Sequence, residues 1–283
     1  MPAELFASLA PTPLAERLRP KSLDEILGQD HLLGSEGPLG RMLEARKLGS
    51  LVLWGPPGCG KTTIARLLAE AVDLHFEPLS AVFSGVADLR RVFEGARQRR
   101  KDGKGTLLFV DEIHRFNRAQ QDGFLPVMED GTVTLVGATT ENPSFELNAA
   151  LLSRAHVLTF KTLDSAAIAK LLERAEAEEG RPLPLDEEAR SVLLRMADGD
   201  GRSALTLAED VWRAAREGET FVDVGSGLGA AVLQAALTTT CARAVGVEVV
   251  RSRHDAALAL RDAALTQLPP VAAAALEARA ELR

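Results

Sequence analysis

The chain has 283 residues, 46% of them hydrophobic and 26% charged, and its formal net charge is −7. That length suffices for about two domains with buried cores, while the acidic balance excludes a global positive field that would draw the whole surface to nucleic acid. Cys59 and Cys241 make neither a disulfide framework nor a metal site, which suits a reducing compartment. No basic segment leads into an apolar stretch near Met1, and no run approaches membrane-spanning length, so the expectation is a cytoplasmic protein without a membrane partner.

In chain order, Leu51-Val52-Leu53-Trp54 reads as a buried strand and Thr63 to Val72 as a helix. Between them, Gly55-Pro56-Pro57-Gly58-Cys59-Gly60-Lys61-Thr62 is a complete G-x-x-x-x-G-K-[ST] phosphate-binding loop. Its glycines let successive backbone N–H groups turn inward around phosphate oxygens, and the helix opening at Thr63 adds its positive N-terminal end. Lys61 then reaches the β and γ phosphates, and the Thr62 hydroxyl holds Mg²⁺. Cys59 reads as a tolerated small residue.

His75 to Leu79 is the next expected strand. The basic stretch Arg97-Gln98-Arg99-Arg100-Lys101-Asp102-Gly103-Lys104 ends a helical segment before a Gly turn. It reads as a solvated helix end whose cations complement the terminal carbonyls, in preference to a DNA contact. Thr106 to Val110 is an apolar run that ends in Asp111 and Glu112, as in a buried parallel strand with acids at its C-terminal edge. Ligands of open α/β sheets bind at that edge. Asp111 can orient the Mg²⁺ shell, and Glu112 can polarise a water for in-line attack on the γ-phosphorus. The plainer alternative is that both acids simply open the next helix. Loop and acid pair together predict ATP hydrolysis. Arg115 and Arg118, just beyond, are placed to face a ligand or a neighbour.

Thr132 to Gly137 and His156 to Phe160 complete a set of strands alternating with helices, which predicts an α/β domain over residues 1–160 with a parallel sheet covered on both faces. Residues 161–216 change to three helices, broken at Gly180-Arg181-Pro182 and Asp198-Gly199-Asp200-Gly201, as in a small helical lid.

Several further ordered motifs carry a resemblance: Pro13 to Pro20, Leu27-Gly28-Gln29-Asp30-His31-Leu32-Leu33-Gly34, Glu112-Ile113-His114-Arg115-Phe116-Asn117, Gly137 to Phe145, Leu151-Leu152-Ser153-Arg154 and Gly199 to Leu205. With the loop and the acid pair, they are similar to the AAA+ ATPases of the replication-associated recombination protein A family, clamp-loader relatives akin to the Werner-helicase-interacting protein. The resemblance covers about residues 10 to 216. It implies ATP and Mg²⁺ as cofactors, single-stranded or forked DNA as partner, and a homo-oligomer. It also implies roles: Thr140 as sensor 1 holding the attacking water, Arg154 as an arginine finger acting on a neighbouring subunit, Arg202 as sensor 2, and Gly28 and Gln29 beside the adenine. Arg154 and Arg202 also admit plainer readings, as a surface residue and as a helix-start residue pairing with Asp200. One departure is Phe83, where the family pattern leads us to expect a small polar residue.

After Arg216 the pattern is foreign to that family. The stretch Thr220-Phe221-Val222-Asp223-Val224-Gly225-Ser226-Gly227-Leu228-Gly229 opens a strand and a Gly-rich turn, followed by a helix (Ala230 to Leu237) and a strand (Ala242 to Val247) that ends at Glu248. From Gly229 to Glu248 is 248 − 229 = 19 residues, close to the spacing of an acid that meets ribose hydroxyls in a βαβ unit. Residues 217–283 resemble motif I of S-adenosylmethionine-dependent methyltransferases, in particular the histone-lysine methylases of the disruptor-of-telomeric-silencing type. Asp223, Gly225, Gly227 and Glu248 are then the candidate S-adenosylmethionine residues, with a nicotinamide site as the alternative. Helices Arg251 to Thr266 and Val271 to Ala278 follow. Two parallel strands make an incomplete Rossmann-like sheet with an exposed edge, so no methyl transfer is expected from this chain alone. A gene-fusion fragment, a truncated product and a docked appendage all remain open readings of the tail. The usual helical oligomerisation region is not found after the lid, which sets assembly in question.

Overall fold

The computed structural model describes residues 12–214, 220–224, 243–247, 251–268 and 270–282. Strands β1 (Leu51–Trp54), β2 (His75–Ser80), β3 (Thr106–Asp111), β4 (Thr134–Thr139) and β5 (His156–Thr159) form one sheet in the order β2-β3-β4-β1-β5. Every neighbouring pair is parallel. Because successive side chains of a strand point to opposite faces, Leu107 and Phe109 of β3 enter one apolar layer, and Leu108 and Val110 enter the other.

Helix α1 (Lys61–Ala71) supplies Ile64, Ala65 and Leu68 to the first layer. There Phe76 stacks on Phe109 with ring centroids 5.8 Å apart. Helix α2 (Val86–Lys101) supplies Leu89, Val92, Phe93 and Ala96 to the second, where Phe93 meets Phe124 edge-on at 5.8 Å. Burial on both faces is why β3 reads as an unbroken apolar run. The chain leaves β1 for the far edge strand β2, returns through β3 and β4, and then places β5 on the other side of β1. This reversal at the C-terminal end of β1 makes the crevice in which open α/β sheets take their ligands.

Strand β4 starts two residues later than the sequence pattern suggests and runs on to Thr139. The Thr132 N–H is taken by Asp130 Oδ1 at 2.7 Å and the Val133 N–H by Val127 O at 3.0 Å, so a turn uses these donors. At the far end Thr139 is still in register with Trp54 of β1. The basic stretch does end a helix, α2, but it is less solvated than expected. Arg99 binds Glu77 at 2.8 Å and Thr106 Oγ1 at 3.0 Å, and Lys104 binds Asp73 at 2.5 Å.

Three helices follow: α3 (Ser165–Glu179), α4 (Glu187–Ala197) and α5 (Gly201–Ala214). The chain divides into two compact units, Met1–Leu171 with Ala197–Ser203, and Leu172–Met196 with Ala204–Arg283. Within the second unit, Trp212 Nε1 donates to Pro182 O at 3.1 Å, and the Glu176 carboxylate accepts the Leu183 N–H at 2.8 Å and pairs with Arg190.

The same unit holds β6 (Thr220–Val224), β7 (Arg243–Val247), α6 (Arg251–Gln267), α7 (Pro270–Arg279) and β8 (Ala280–Leu282). Here the expected two-stranded sheet is corrected to three strands, all parallel, in the order β6-β7-β8. Strand β8 is three residues long, paired from Ala244↔Ala280 to Gly246↔Leu282, too short to show a period in sequence. Among the described residues, no helix is long and apolar enough to cross a membrane.

Candidate nucleotide site

The loop leaves the sheet where the Gly55 N–H donates to Thr139 O at 3.1 Å. Gly58 (φ 64°) and Gly60 (φ 94°) lie in the left-handed region that glycine enters without steric cost. At Gly58 there is a second constraint, since an added Cβ would fall 1.7 Å from Asp200 Oδ1. That carboxylate oxygen also accepts the N–H groups of Arg202 (2.8 Å) and Ser203 (2.9 Å) at the start of α5, as an N-cap does. Lys61 Nζ donates to Gly55 O at 2.7 Å and Pro56 O at 2.6 Å, closing the loop on itself. Pro57 is exposed at the tip, and Thr62 and Thr63 are half-buried in the first turn of α1. The Cys59 thiol is buried and donates to Pro56 O at 3.0 Å. Burial pushes its pKa up, against the smaller opposing pull of Lys61.

Asp111 ends β3 at the same sheet edge. One hydroxyl, from Thr62, and one carboxylate, from Asp111, suit Mg²⁺, which keeps several waters and takes its remaining ligands from phosphate oxygens. Glu112 follows in a left-handed backbone conformation (φ 53°, ψ 44°), uncommon for a residue with a side chain. Its Oε2 lies 3.3 Å from His114 Nδ1, and that nitrogen lies 2.9 Å from Thr139 Oγ1. Thr139 is fully buried, whereas Thr140, one residue past the strand, is exposed.

The other candidates are more dispersed. Arg154 follows the short helix Ala149–Leu152 and binds Glu129 Oε1 through Nε at 2.6 Å. Arg202 is the second residue of α5. It meets Asp200 through its backbone N–H. Gln29 is fully buried, with its Nε2 donating to Lys161 O at 2.8 Å and its Oε1 accepting the Lys161 N–H at 3.2 Å. Its amide therefore clasps the chain just past β5. Gly28 has φ 71°, which favours glycine, and an added Cβ would fall 2.8 Å from Leu163 Cδ2. Phe83 is 89% exposed.

The family model described as ATPase family associated with various cellular activities (AAA) matches residues 51–163, from β1 to just past β5. Replication-associated recombination protein A of Escherichia coli (strain K12) is 50% identical over 202 residues, covering 70% of this chain and 45% of that protein. Residues 10 to 216 or so belong to the AAA+ ATPases of the replication-associated recombination protein A family. Another member, ATPase WRNIP1 of Dictyostelium discoideum, is 42% identical over 213 residues, covering 74% of this chain and 24% of that protein. The chain thus spans less than half the length of either relative. Among solved structures, the Thermotoga maritima RuvB Holliday junction branch migration motor superposes with a TM-score of 0.59 at 30% identity, covering 70% of this chain and 66% of that one. An AAA+ P-loop fold implies nucleotide and Mg²⁺ binding, which the donor set above suits.

The methyltransferase-like segment is also matched. The family model of Histone methylation protein DOT1 covers residues 212–267, beginning inside α5. Asp223 sits in β6 opposite Gly246 of β7. Gly225, Gly227, Glu248 and the expected helix Ala230 to Leu237 lie outside the described residues.

Sequence reasoning assigns no part in the candidate site to three residues that the structure sets against it. Glu129 stands 25 residues before its partner Arg154, with no local pattern to announce the pair. Asp200 has a recoverable signal, an Asp just before a helical run, as in an N-cap. His114 also has one, a polar ring two positions past Glu112 in Asp111-Glu112-Ile113-His114.

Proposed function

We propose that the chain hydrolyses Mg²⁺-bound ATP and couples the turnover to remodelling of DNA in replication, recombination and repair. The observation that carries this reading is the gathering of the phosphate loop, Asp111 and Glu112 at the C-terminal edge of one parallel sheet. Gly55 to Gly60 offer backbone N–H groups to the phosphates, and Lys61 exchanges its loop carbonyls for the β and γ oxygens. Thr62 and Asp111 would hold Mg²⁺, which would supply neutralising charge for the transferred phosphoryl group. Glu112 accepts hydrogen-bonded water and orients it for in-line attack, Thr140 steadies that water, and Arg154 of a second copy stabilises the charge of the transition state. Arg202 reports the nucleotide state to the lid.

In this reading, residues 1–160 form the nucleotide-binding domain, 161–216 the lid and 217–283 a methyltransferase-like appendage. The DNA substrate is suggested by what relatives are called: a replication-associated recombination protein and a Holliday junction branch migration motor. Steady-state ATP hydrolysis against protein concentration, with and without single-stranded and forked DNA, tests the proposal. DNA-stimulated turnover that rises with concentration and disappears in Glu112→Gln supports it. Tight ATP binding without turnover points instead to a nucleotide switch.

A second reading rests on the DOT1 match over residues 212–267: an S-adenosylmethionine-dependent methyltransferase that the AAA+ region regulates or positions. Calorimetric titration with S-adenosylmethionine decides it, since absence of heat at high micromolar ligand removes its support.

A further inference from the structure

Glu112 carries a demand that the phosphate loop does not meet. A water-polarising carboxylate is effective only when held in place, because a displacement of about 1 Å costs roughly a hundredfold in rate. Its left-handed backbone (φ 53°) aims the residue, but the side chain has further torsions to fix. The group beside it is His114, whose side chain is only 7% exposed and whose Nδ1 stands 3.3 Å from Glu112 Oε2. Ring and carboxylate are joined by a tight turn, Ile113–Arg115, closed by the Arg115 N–H donating to Glu112 O at 2.8 Å.

The same nitrogen stands 2.9 Å from Thr139 Oγ1, and the proton inventory fixes its state. Thr139 Oγ1 accepts the Glu141 N–H at 3.0 Å and faces Glu141 O at 3.3 Å, an acceptor toward which its own hydrogen can turn. Glu112 as a carboxylate has no hydrogen to offer. A hydrogen on Nδ1 therefore bonds Thr139 Oγ1 and sets a polar N–H group, in place of a lone pair, 3.3 Å from the Glu112 carboxylate. The opposite tautomer would set a nitrogen lone pair against a carboxylate. Thr140 lies between Thr139 and Glu141, so the turn fixed by this hydroxyl is the turn that carries Thr140.

We propose that His114 is a positioning residue for hydrolysis, its Nδ1–H tying the Glu112 carboxylate at the end of β3 to the Thr139–Glu141 turn at the end of β4. The ring thus sets the distance between the residue that polarises the water and the residue that steadies it. This inference rests on the ATPase reading of the same site.

Steady-state hydrolysis by the full chain, for the parent and for His114→Leu, His114→Asn, Thr139→Val and Glu112→Gln, tests it alongside binding of a fluorescent ATP analogue. His114→Leu should lower kcat by about tenfold to a hundredfold with KM and analogue affinity within about twofold. His114→Asn, whose amide can place an N–H near the Nδ1 position, should recover most of the loss. Thr139→Val should share the defect, and His114→Leu combined with Thr139→Val should be no worse than the poorer single variant, as expected of residues acting as a unit. Unchanged kcat in His114→Leu while Glu112→Gln is inactive would overturn the proposal, as would a loss confined to KM. A readout independent of turnover is ¹⁵N NMR of the imidazole ring in the nucleotide-free chain. Hydrogen on Nδ1, with a ring signal perturbed in Thr139→Val and in Glu112→Gln, is expected, and hydrogen on Nε2 alone would overturn the arrangement. If the parent does not hydrolyse ATP at all, the ATPase reading fails, and the ring spectrum still decides whether His114 ties the two strand ends.

Discussion

Arg154 and Glu129 form an ion pair within one chain, with Arg154 Nε donating to Glu129 Oε1 at 2.6 Å and Nη1 donating to Ala150 O at 2.8 Å. At 38% exposure the arginine is at the surface yet held in one orientation. Arg154→Ala is expected to lower turnover by roughly 10³-fold at unchanged nucleotide affinity. Mixing Arg154→Ala with Lys61→Ala chains should restore part of it, because the first supplies competent loops and the second supplies the arginine. A silent Arg154→Ala, or a mixture as inactive as its components, would exclude action between subunits.

Gly58→Ala strikes the loop at its tightest approach. A side chain at φ 64° carries a cost of about 1–2 kcal/mol, and its Cβ would displace the Asp200 carboxylate from the cap of α5. Nucleotide affinity should fall by at least about tenfold, or about 1.4 kcal/mol, together with a lower Tm. Titration of a fluorescent ATP analogue and a thermal melt check the two halves. Wild-type affinity would mean that loop and carboxylate part without consequence.

Ile64→Ala removes a fully buried side chain from the layer between α1 and the sheet. A loss of about 2–5 kcal/mol is expected from transfer and cavity terms, read from the urea midpoint at constant m-value. An unshifted midpoint would show that α1 contributes little to the cooperative unit.

Cys59 gives a pH prediction. Its pKa is raised by burial, so the folded chain keeps the thiol proton to higher pH than the unfolded chain does. Below the ordinary thiol pKa both states hold the proton and nothing changes; above it the unfolded state binds fewer protons, and stability declines as pH rises. Cys59→Ala should remove that alkaline decline, which denaturant midpoints measured from neutral to alkaline pH will show. Equal slopes in parent and variant would mean that the thiol is not protected.

What the sequence reveals and what it hides follow from the range of the interactions. Strands β1 and β3 are legible because apolar runs ending in glycine or acid are local, and the helix breaks at Gly180 and Gly199 are legible for the same reason. The start of β4 is not, because it depends on Asp130 and Val127 claiming two N–H groups in three dimensions. The phosphate loop and the acid pair are local patterns and could be read directly. Gln29 is found by resemblance, whereas its amide's hold on Lys161, 132 positions away, is not a local pattern. The Glu112–His114–Thr139 chain joins two strand ends and needs the parallel register of β3 and β4 to exist.

Lys61 gives its ammonium to two carbonyls of the very loop it serves. A triphosphate therefore meets a lysine that already has partners, and docking becomes a trade of one set of oxygens for another at nearly constant charge satisfaction. Such a trade favours speed of exchange over depth of binding. Removing the lysine would do more than delete a phosphate contact: it would leave the Gly55 carbonyl to satisfy and the loop held by the Cys59 thiol on Pro56 O alone.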